Sequence, residues 1–454
     1  MKKNIQFSYP SFVLVHLFIA LAVFALPFLS KIYAILVPFA GLLYVFGTKN
    51  KNNEVLLVAA YMVGMEVFLR MTGGNFNNEY VKVSVIVFML LGMIYSGFSM
   101  NSLVYSVFLI LLIPGILMTS LSDDLSTDIK KVLVFNLSGP VCLGITAIYT
   151  LKRNINFADL QNIVLAMGLP IITTTAYLFL YNPSVQEVVT STQSNFETSG
   201  GFGPNQVSTI LGLGMFVFFA QLILFSKTKK MWFLNGGLLL LISYRAIVTF
   251  SRGGVITGAA MIVGLIILLY YYSNVKTKLK LSIIMILTAL LSLAVWSYSS
   301  LQTSGLINKR YANEDAAGRV KKDKLGGREA IMNAEFNLFF SNPITGVGAG
   351  LGKQYRKNMG KIEDAASHNE ITRMLAEHGL FGLFGLLILF VTPFIMYINN
   401  RQHFYFLSFY LFWLLTINHA AMRTAAPAFV YALTLLTING IKKNTIENKE
   451  NSTY

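Results

Sequence analysis

Charge is what this sequence lacks most. Only 12% of its 454 residues are Asp, Glu, Lys or Arg, about half the share of an ordinary soluble domain. A chain whose whole surface meets water is excluded. Acidic residues are scarcer than basic ones, 20 against 36, so the formal charge is +16. The single cysteine, Cys142, excludes an internal disulfide. It lies in an apolar run and reads as a small packing residue. Metal-ligating patterns are missing as well. There is no HExxH and no Asp-x-Asp, and the outer loops defined below carry no carboxylate cluster beyond Asp123-Asp124 and Glu363-Asp364. The stretch GFGPN at 201–205 is followed by no Lys-Ser/Thr pair, so a phosphate loop for nucleotides is absent. No metal and no cofactor is expected.

Apolar residues fill the space. They make up 55% of the chain, in repeated runs long enough to cross about 30 Å of hydrocarbon. The runs are continuous and do not alternate, which argues against a β-barrel. The expected fold is all-α, a polytopic bundle of about 12–14 transmembrane helices. About fourteen spans are read at 11–29, 31–47, 55–70, 81–98, 101–118, 131–150, 161–181, 206–226, 231–248, 254–273, 279–299, 372–398, 403–419 and 424–440. The first follows Met1-Lys2-Lys3 without a small-residue cleavage site, so an uncleaved span is expected rather than a signal peptide.

Basic loops orient the bundle. With the N-terminus in the cytoplasm, the inside segments are TKNKNNE (48–54), LKRN (151–154), SKTKK (226–230), SNVKTKLK (273–280), NNRQ (399–402) and the tail from 441. Each carries Lys or Arg, as inside loops do. The short outside loops are acidic, neutral or weakly basic: TGGNFNNEY (72–80), SLSDDLSTDIKK (120–131), 182–205 and NHAAMR (418–423). Both termini are then cytoplasmic, and the long segment 300–371 is extracytoplasmic. The organisation read here is N-terminal spans over 1–181, a second membrane region over 182–440 that contains this loop, and a tail over 441–454. The basic residues orient helices, and no folded basic module supports nucleic-acid binding.

Several polar groups face the outer side. Arg245 lies within a span and Arg252 at its outer end, in YRAIVTFSRGG. Positions 245, 249 and 252 share one helical face. Intramembrane arginines normally face protein or water, and two of them can cradle a diphosphate through paired hydrogen bonds. The plainer alternative pairs Arg245 with Glu66 and lets Arg252 reach lipid headgroups. Gly253-Gly254 permit a sharp turn and close ligand approach. Glu66 and Arg70 are four apart, which suits either a local ion pair or a substrate-facing role. Asn205 is placed to cap the following helix, whose free N–H groups point outward.

In the long loop, the run from Glu329 to Phe340 has helical spacing. Ile331, Met332, Phe336, Leu338, Phe339 and Phe340 are expected to rest on the membrane surface. The stretch SNPITGVGAG ends that helix. Arg328, at the helix start, gains nothing from the dipole and so wants another partner; a solvated arginine is the alternative. His368 follows, beside Asn369, Glu370 and Arg373. An imidazole there is neutral at working pH and can accept a proton, although a lone histidine often only packs. His378 lies deeper and reads as packing. His419 and Arg423 sit at an outer loop and could line the same cavity, although no pattern singles them out.

Four motifs, GPN at 203–205, FSRGG at 250–254, GGRE at 326–329 with NPITGVG at 342–348, and SHNEITRMLAEHGLFG at 367–382, occur in this order over the C-terminal part of the chain. Together they resemble the O-antigen ligase and O-antigen polymerase superfamily of bacterial membrane glycosyltransferases. The resemblance implies metal-independent transfer of a glycan from undecaprenyl diphosphate to an acceptor hydroxyl at the outer face of the cytoplasmic membrane. The acceptor would be a glycan, a lipid core or a protein, and membrane lipids surround the chain. It also implies that Arg252 and Arg328 contact the diphosphate and that His368 deprotonates the acceptor. That requires all three side chains in one pocket. No feature is dedicated to one acceptor, which leans the reading toward a polymerase-like role. The competing class is a transporter or flippase of the same lipid-linked glycan. It would carry charges along a through-path, often in two related halves, and neither is evident.

Overall fold

A computed structural model describes residues 8–121, 128–321, 327–358 and 366–439. The tail from 441, Gly326, and the pairs Asp123-Asp124 and Glu363-Asp364 lie outside the described residues. The helices are α1 (Tyr9–Ala25), α2 (Leu29–Thr48), α3 (Glu54–Met71), α4 (Tyr80–Ser96), α5 (Met100–Ser120), α6 (Ile129–Thr150), α7 (Phe157–Tyr181), α8 (Pro204–Phe225), α9 (Lys229–Val248), α10 (Arg252–Tyr272) and α11 (Val275–Gln302). In the long loop stand α12 (Leu306–Tyr311), α13 (Arg328–Ser341) and α14 (Gly352–Asn358). Then come α15 (Glu370–Asn399), α16 (Phe406–His419) and α17 (Ala426–Leu433). The protein is an all-α polytopic membrane protein.

Among the described residues, nine helices are long and apolar enough to cross a membrane, and α1, α4 and α16 are shorter apolar helices. Helices lie over thirteen of the fourteen expected spans, α3 among them, and the exception is the last. Helix α3 carries Glu54, Glu66 and Arg70, and nearly its whole length is buried by other helices. Protein, not lipid, solvates it, so it needs no purely apolar composition. The stretch expected as a last span, 424–440, contains only the 8-residue α17. Its chain continues into β2 (Thr437–Asn439), which pairs in parallel with β1 (Asn154–Asn156). Every residue of α17 is buried. Non-helical backbone beside it is therefore shielded from lipid, the condition under which such backbone is tolerated at membrane depth.

Small residues draw the central helices together. A Cβ on Gly64 of α3 would strike the Met167 carbonyl of α7, and one on Gly254 of α10 would strike the Ser208 backbone of α8. Large apolar side chains point outward from α1, α2, α11 and α15 instead, among them Phe18, Leu36, Leu293 and Phe384. Those faces meet lipid.

Helix α15 is broken at Gly379, where φ is +59° and ψ is −137°. The freed backbone groups do not go unsatisfied. The Leu380 N–H donates to the Pro343 carbonyl at 2.7 Å, Val347 N–H to the Ala376 carbonyl at 2.9 Å, and Gly348 N–H to the Glu377 carbonyl at 3.2 Å. The stretch NPITGVG thus splints the break, a role beyond the helix terminator read from its Pro and Gly. A Cβ on Gly346, whose φ is +69°, would collide with the Glu377–His378 peptide.

Candidate active site

The turn between α9 and α10 starts the site. Helix α9 ends at Val248, Phe250 takes a left-handed φ of +57°, and Arg252 opens α10. The face expected to be shared by 245 and 252 does not exist, because no single helix contains both. Arg245 is buried, donates from Nη2 to the Asn182 carbonyl at 3.0 Å, and lies with its guanidinium 4.6 Å from the Phe179 ring centroid. It does not pair with Glu66. The reversal of the chain is made by Phe250 rather than by the two glycines. Those sit in the first turn of α10 and admit neighbours: a Cβ on Gly253 would meet the His419 ring.

Asn205 is the second residue of α8, after Pro204, and Gly203 stands at the cap position. The expected cap is thus absent, since the asparagine lies two positions past the cap. Its side chain instead accepts from the Ser251 hydroxyl at 2.8 Å, while Ser208 donates to the Ser251 carbonyl at 2.7 Å. These bonds pin the residue before Arg252 onto α8.

The long loop folds over this turn. Arg252 donates to the Asn313 side chain at 2.6 Å and to the Arg310 carbonyl at 3.4 Å. In return, Arg310 donates from Nε to the Phe250 carbonyl at 3.0 Å. Arg310 was invisible in the sequence reading, since nothing distinguishes it from its neighbour Lys309. Burial pushes the Arg310 guanidinium below its ordinary value, and the charges of Arg252 and Arg328 push it further. Arg328 is the first residue of α13. It too is lowered, by burial and then by Arg252. Lys321 is lowered by burial, Arg310 and Arg252. Tyr311, pushed up to about 12 by burial, has a buried hydroxyl without a partner among the described residues. Arg252 and Arg328 therefore share one electrostatic neighbourhood. Both begin helices, the end where a cation is least favourable and an anion most welcome.

His368 joins the same neighbourhood. Its ring is held down to about 4 by burial, then by Arg328, Arg423 and His419. Its carbonyl accepts from the Ala421 amide at 3.1 Å, and Arg423 donates to the Ser367 carbonyl at 2.7 Å. The imidazole itself makes no hydrogen bond among the described residues. Asn369 caps α15 by accepting from the amides of Ile371 and Thr372 at 2.9 and 3.3 Å, and it donates to the Asn418 side chain at 3.2 Å. Glu370 is buried in an ion pair with Arg373, which also meets Glu377 at 2.7 Å. His419 donates or accepts at Thr209 Oγ1, 3.1 Å away. His419 and Arg423, which the sequence did not single out, are thus brought to His368. His378 is fully buried, against Gly115.

Buried Glu335 of α13 ties the pieces together. It binds Arg356 at 2.6 Å and accepts from Thr372 at 2.6 Å and Ser367 at 3.2 Å. Burial pushes its carboxyl above the ordinary range. Ile331 and Leu338 of α13 face inward and Phe336 and Phe340 outward, with Met332 and Phe339 half-buried, so only two of the six apolar residues expected on the membrane are free to lie there. Glu66 and Arg70 form their local ion pair at 2.6 Å. They also hold the chain after Arg423: Arg70 donates to the Arg423 carbonyl at 3.1 Å, and Glu66 accepts from the Ala425 amide at 2.7 Å.

A cavity of about 450 Å³ borders Ser367 and is lined by Asn78, Lys131, Phe135, Asn136 and Arg373, among others. Among the described residues, no group of three His, Cys, Asp or Glu side chains gathers to hold a metal ion. A cluster of guanidinium groups can bind a phosphate or diphosphate, and a neutral imidazole beside it can accept a proton.

The architecture and this site define a polytopic helical membrane protein that gathers arginines and a histidine whose ring makes no hydrogen bond among the described residues. Residues 237–389 match the family model described as O-Antigen ligase. That stretch, about a third of the chain, is similar to the O-antigen ligase/polymerase superfamily and supports glycosyl transfer of the ligase/polymerase type in general. The matched stretch contains Arg252, Arg328 and His368, while GPN at 203–205 lies outside it. No curated protein matches the chain.

Proposed function

We propose that the protein transfers a glycan from undecaprenyl diphosphate to an acceptor hydroxyl, at the outer face of a bacterial cytoplasmic membrane. Both termini are then cytoplasmic and the loop bearing Arg328 is extracytoplasmic, as the basic loops favour. The observation that carries the reading is the electrostatic convergence of Arg252, Arg328 and His368.

The acceptor oxygen attacks the anomeric carbon of the donor. The bond from that carbon to the diphosphate oxygen breaks, and undecaprenyl diphosphate leaves with the electron pair. Arg252 and Arg328 bind the diphosphate and stabilise the charge that develops on it, with Arg310 beside them. Their fixed positions need no reorganisation as the bond breaks. His368 takes the acceptor's proton. Asn369 caps the helix that follows the histidine, and Glu370 holds Arg373 beneath it. Glu66 and Arg70 support the Arg423 segment. Arg245, held by Asn182 and Phe179, has a supporting role in this scheme. The acceptor, another lipid-linked glycan, a lipid core or a protein, approaches from the cavity beside Ser367.

The test is purified protein in liposomes without any ion gradient, given a defined lipid-diphosphate glycan and a candidate acceptor. Mass analysis of the product should show the glycan joined to the acceptor and free undecaprenyl diphosphate. Glycan that crosses the bilayer still attached to its lipid would instead mark a transporter.

A further inference from the structure

A second cavity, of about 420 Å³, lies at the other ends of α4 and α6. The first cavity is lined from the starts of these helices, at Glu79 and Lys131, and the second from Ser96 and Tyr149. Helix α6 alone, with 22 residues, separates them by about 33 Å at 1.5 Å per residue. The catalytic reading leaves this second cavity without a role.

Its wall has one sign of charge. Lys51, Lys152 and Arg153 line it, together with Asn50, Asn53 and Tyr149, and no carboxylate does so among the described residues. The carboxylate of nearby Glu54 is turned to Asn52, accepting from its amide at 3.0 Å and its side chain at 3.1 Å. Arg153 is fixed in place. It donates to the Tyr149 carbonyl at 2.9 Å, to Asn53 Oδ1 at 3.1 Å and to the Gly97 carbonyl at 2.6 Å, with its guanidinium 3.8 Å from the Tyr149 ring centroid. Lys51 and Lys152 differ. Both are exposed, and their side chains make no hydrogen bond or ion pair among the described residues.

The backbone around the cavity is strained. Lys49, Asn50, Asn53 and Lys152 all have φ between 54° and 60°. Asparagine tolerates this region, but lysine seldom occupies it. The fold enforces it: the Lys152 amide donates to the Leu435 carbonyl at 3.0 Å, and Asn50 donates to Tyr149 Oη at 2.9 Å. Strain of this kind gathers where a ligand is bound. The rim is apolar. Phe98 lines the cavity and is 52% exposed, and Met100 and Ile94 beside it are more exposed still.

We propose that this cavity binds a phosphate-bearing anion, and that its apolar rim selects the headgroup of an anionic phospholipid. The phosphate sits between Lys51 and Lys152 against fixed Arg153, and an acyl chain follows Phe98 and Met100 along the lipid-facing surface. Basic pockets between membrane helices bind such headgroups through the same combination of forces.

The experiment uses the full-length protein in neutral detergent, with its thermal unfolding midpoint followed against phosphatidylglycerol, phosphatidylcholine or inorganic phosphate. The expected result is a saturable rise with phosphatidylglycerol and none with phosphatidylcholine. In the double variant Lys51→Gln/Lys152→Asn, half-saturation should weaken by roughly tenfold or more, with the midpoint in phosphatidylcholine unchanged. Asparagine keeps the left-handed backbone at 152, and the single Lys51→Gln variant guards against a folding defect. A rise with inorganic phosphate alone would overturn the headgroup assignment. An equal rise in the variants, or no rise in any arm, would overturn the site.

Discussion

The carbonyl of His368 accepts a hydrogen bond from the Ala421 amide at 3.1 Å, so the histidine is fastened by its backbone while its ring makes no hydrogen bond among the described residues. Truncating the ring should therefore cost chemistry and not structure. His368→Ala is expected to lower turnover by about 10²–10⁴-fold, the usual contribution of a placed base. Its unfolding midpoint should match that of the parent protein. Product mass analysis and a thermal melt check the two halves of the statement, and full turnover in the folded variant removes the base from the mechanism.

The pH profile tests the same ring. Burial, Arg328, Arg423 and His419 hold it down to about 4. The neutral form is the competent base, so activity persists as pH falls through 6.5 and is lost toward 4. The acid limb of kcat/KM, which reports the free protein, is expected well below 6.5. A bound diphosphate offsets the cationic neighbours, so the limb of kcat should lie at higher pH. Coincident limbs at 6.5 or above would contradict the arrangement.

Arg252 holds Asn313 at 2.6 Å and stands beside Arg328. Arg252→Lys keeps the charge and loses the planar fork. Turnover is expected to fall about 10²–10³-fold, the range seen when one fixed donor to a developing anion is removed. Steady-state kinetics in liposomes checks it, and parent-like kcat would count against diphosphate binding at this residue.

Arg245 gives the contrast. Its partners are the Asn182 carbonyl and the Phe179 ring. Arg245→Lys is expected to destabilise the protein by roughly 1–2 kcal/mol, from a weakened hydrogen bond and ring contact. Turnover per folded molecule should stay close to that of the parent. An unfolding titration in mixed micelles, run beside the transfer assay, separates the two effects.

Gly379 lies in backbone that favours glycine, and a Cβ there would strike the carbonyls of Pro343 and Ile344. Gly379→Ala is expected to cost about 1–3 kcal/mol through backbone strain alone. The same titration measures it.

Hydropathy alone disclosed the class of fold, because lipid demands long apolar helices wherever protein does not cover them. It misjudged 424–440, where α17 is only eight residues long and is enclosed by other helices. The motif order names Arg252, Arg328 and His368 as candidates, and the kinetic predictions above test Arg252 and His368. Local geometry defeated the rest. The shared face of 245 and 252 assumed an unbroken helix, and Phe250 at φ +57° breaks it. Asn205 suits a cap by residue type, yet Gly203 and Pro204 start the helix before it. Arg310, His419 and Arg423 reach the site only through tertiary folding, and no spacing along the chain encodes that approach.

The splint of residues 343–348 across the broken α15 has a practical consequence for engineering. The arginine-bearing helix α13 and the histidine-bearing start of α15 are stitched into one cassette by backbone bonds and by Glu335. A chimaera that grafts the loop of a protein with a similar domain, while keeping the native first half of α15, would sever those stitches. Exchange of acceptor preference between such proteins should therefore succeed when residues 327–382 travel as one block.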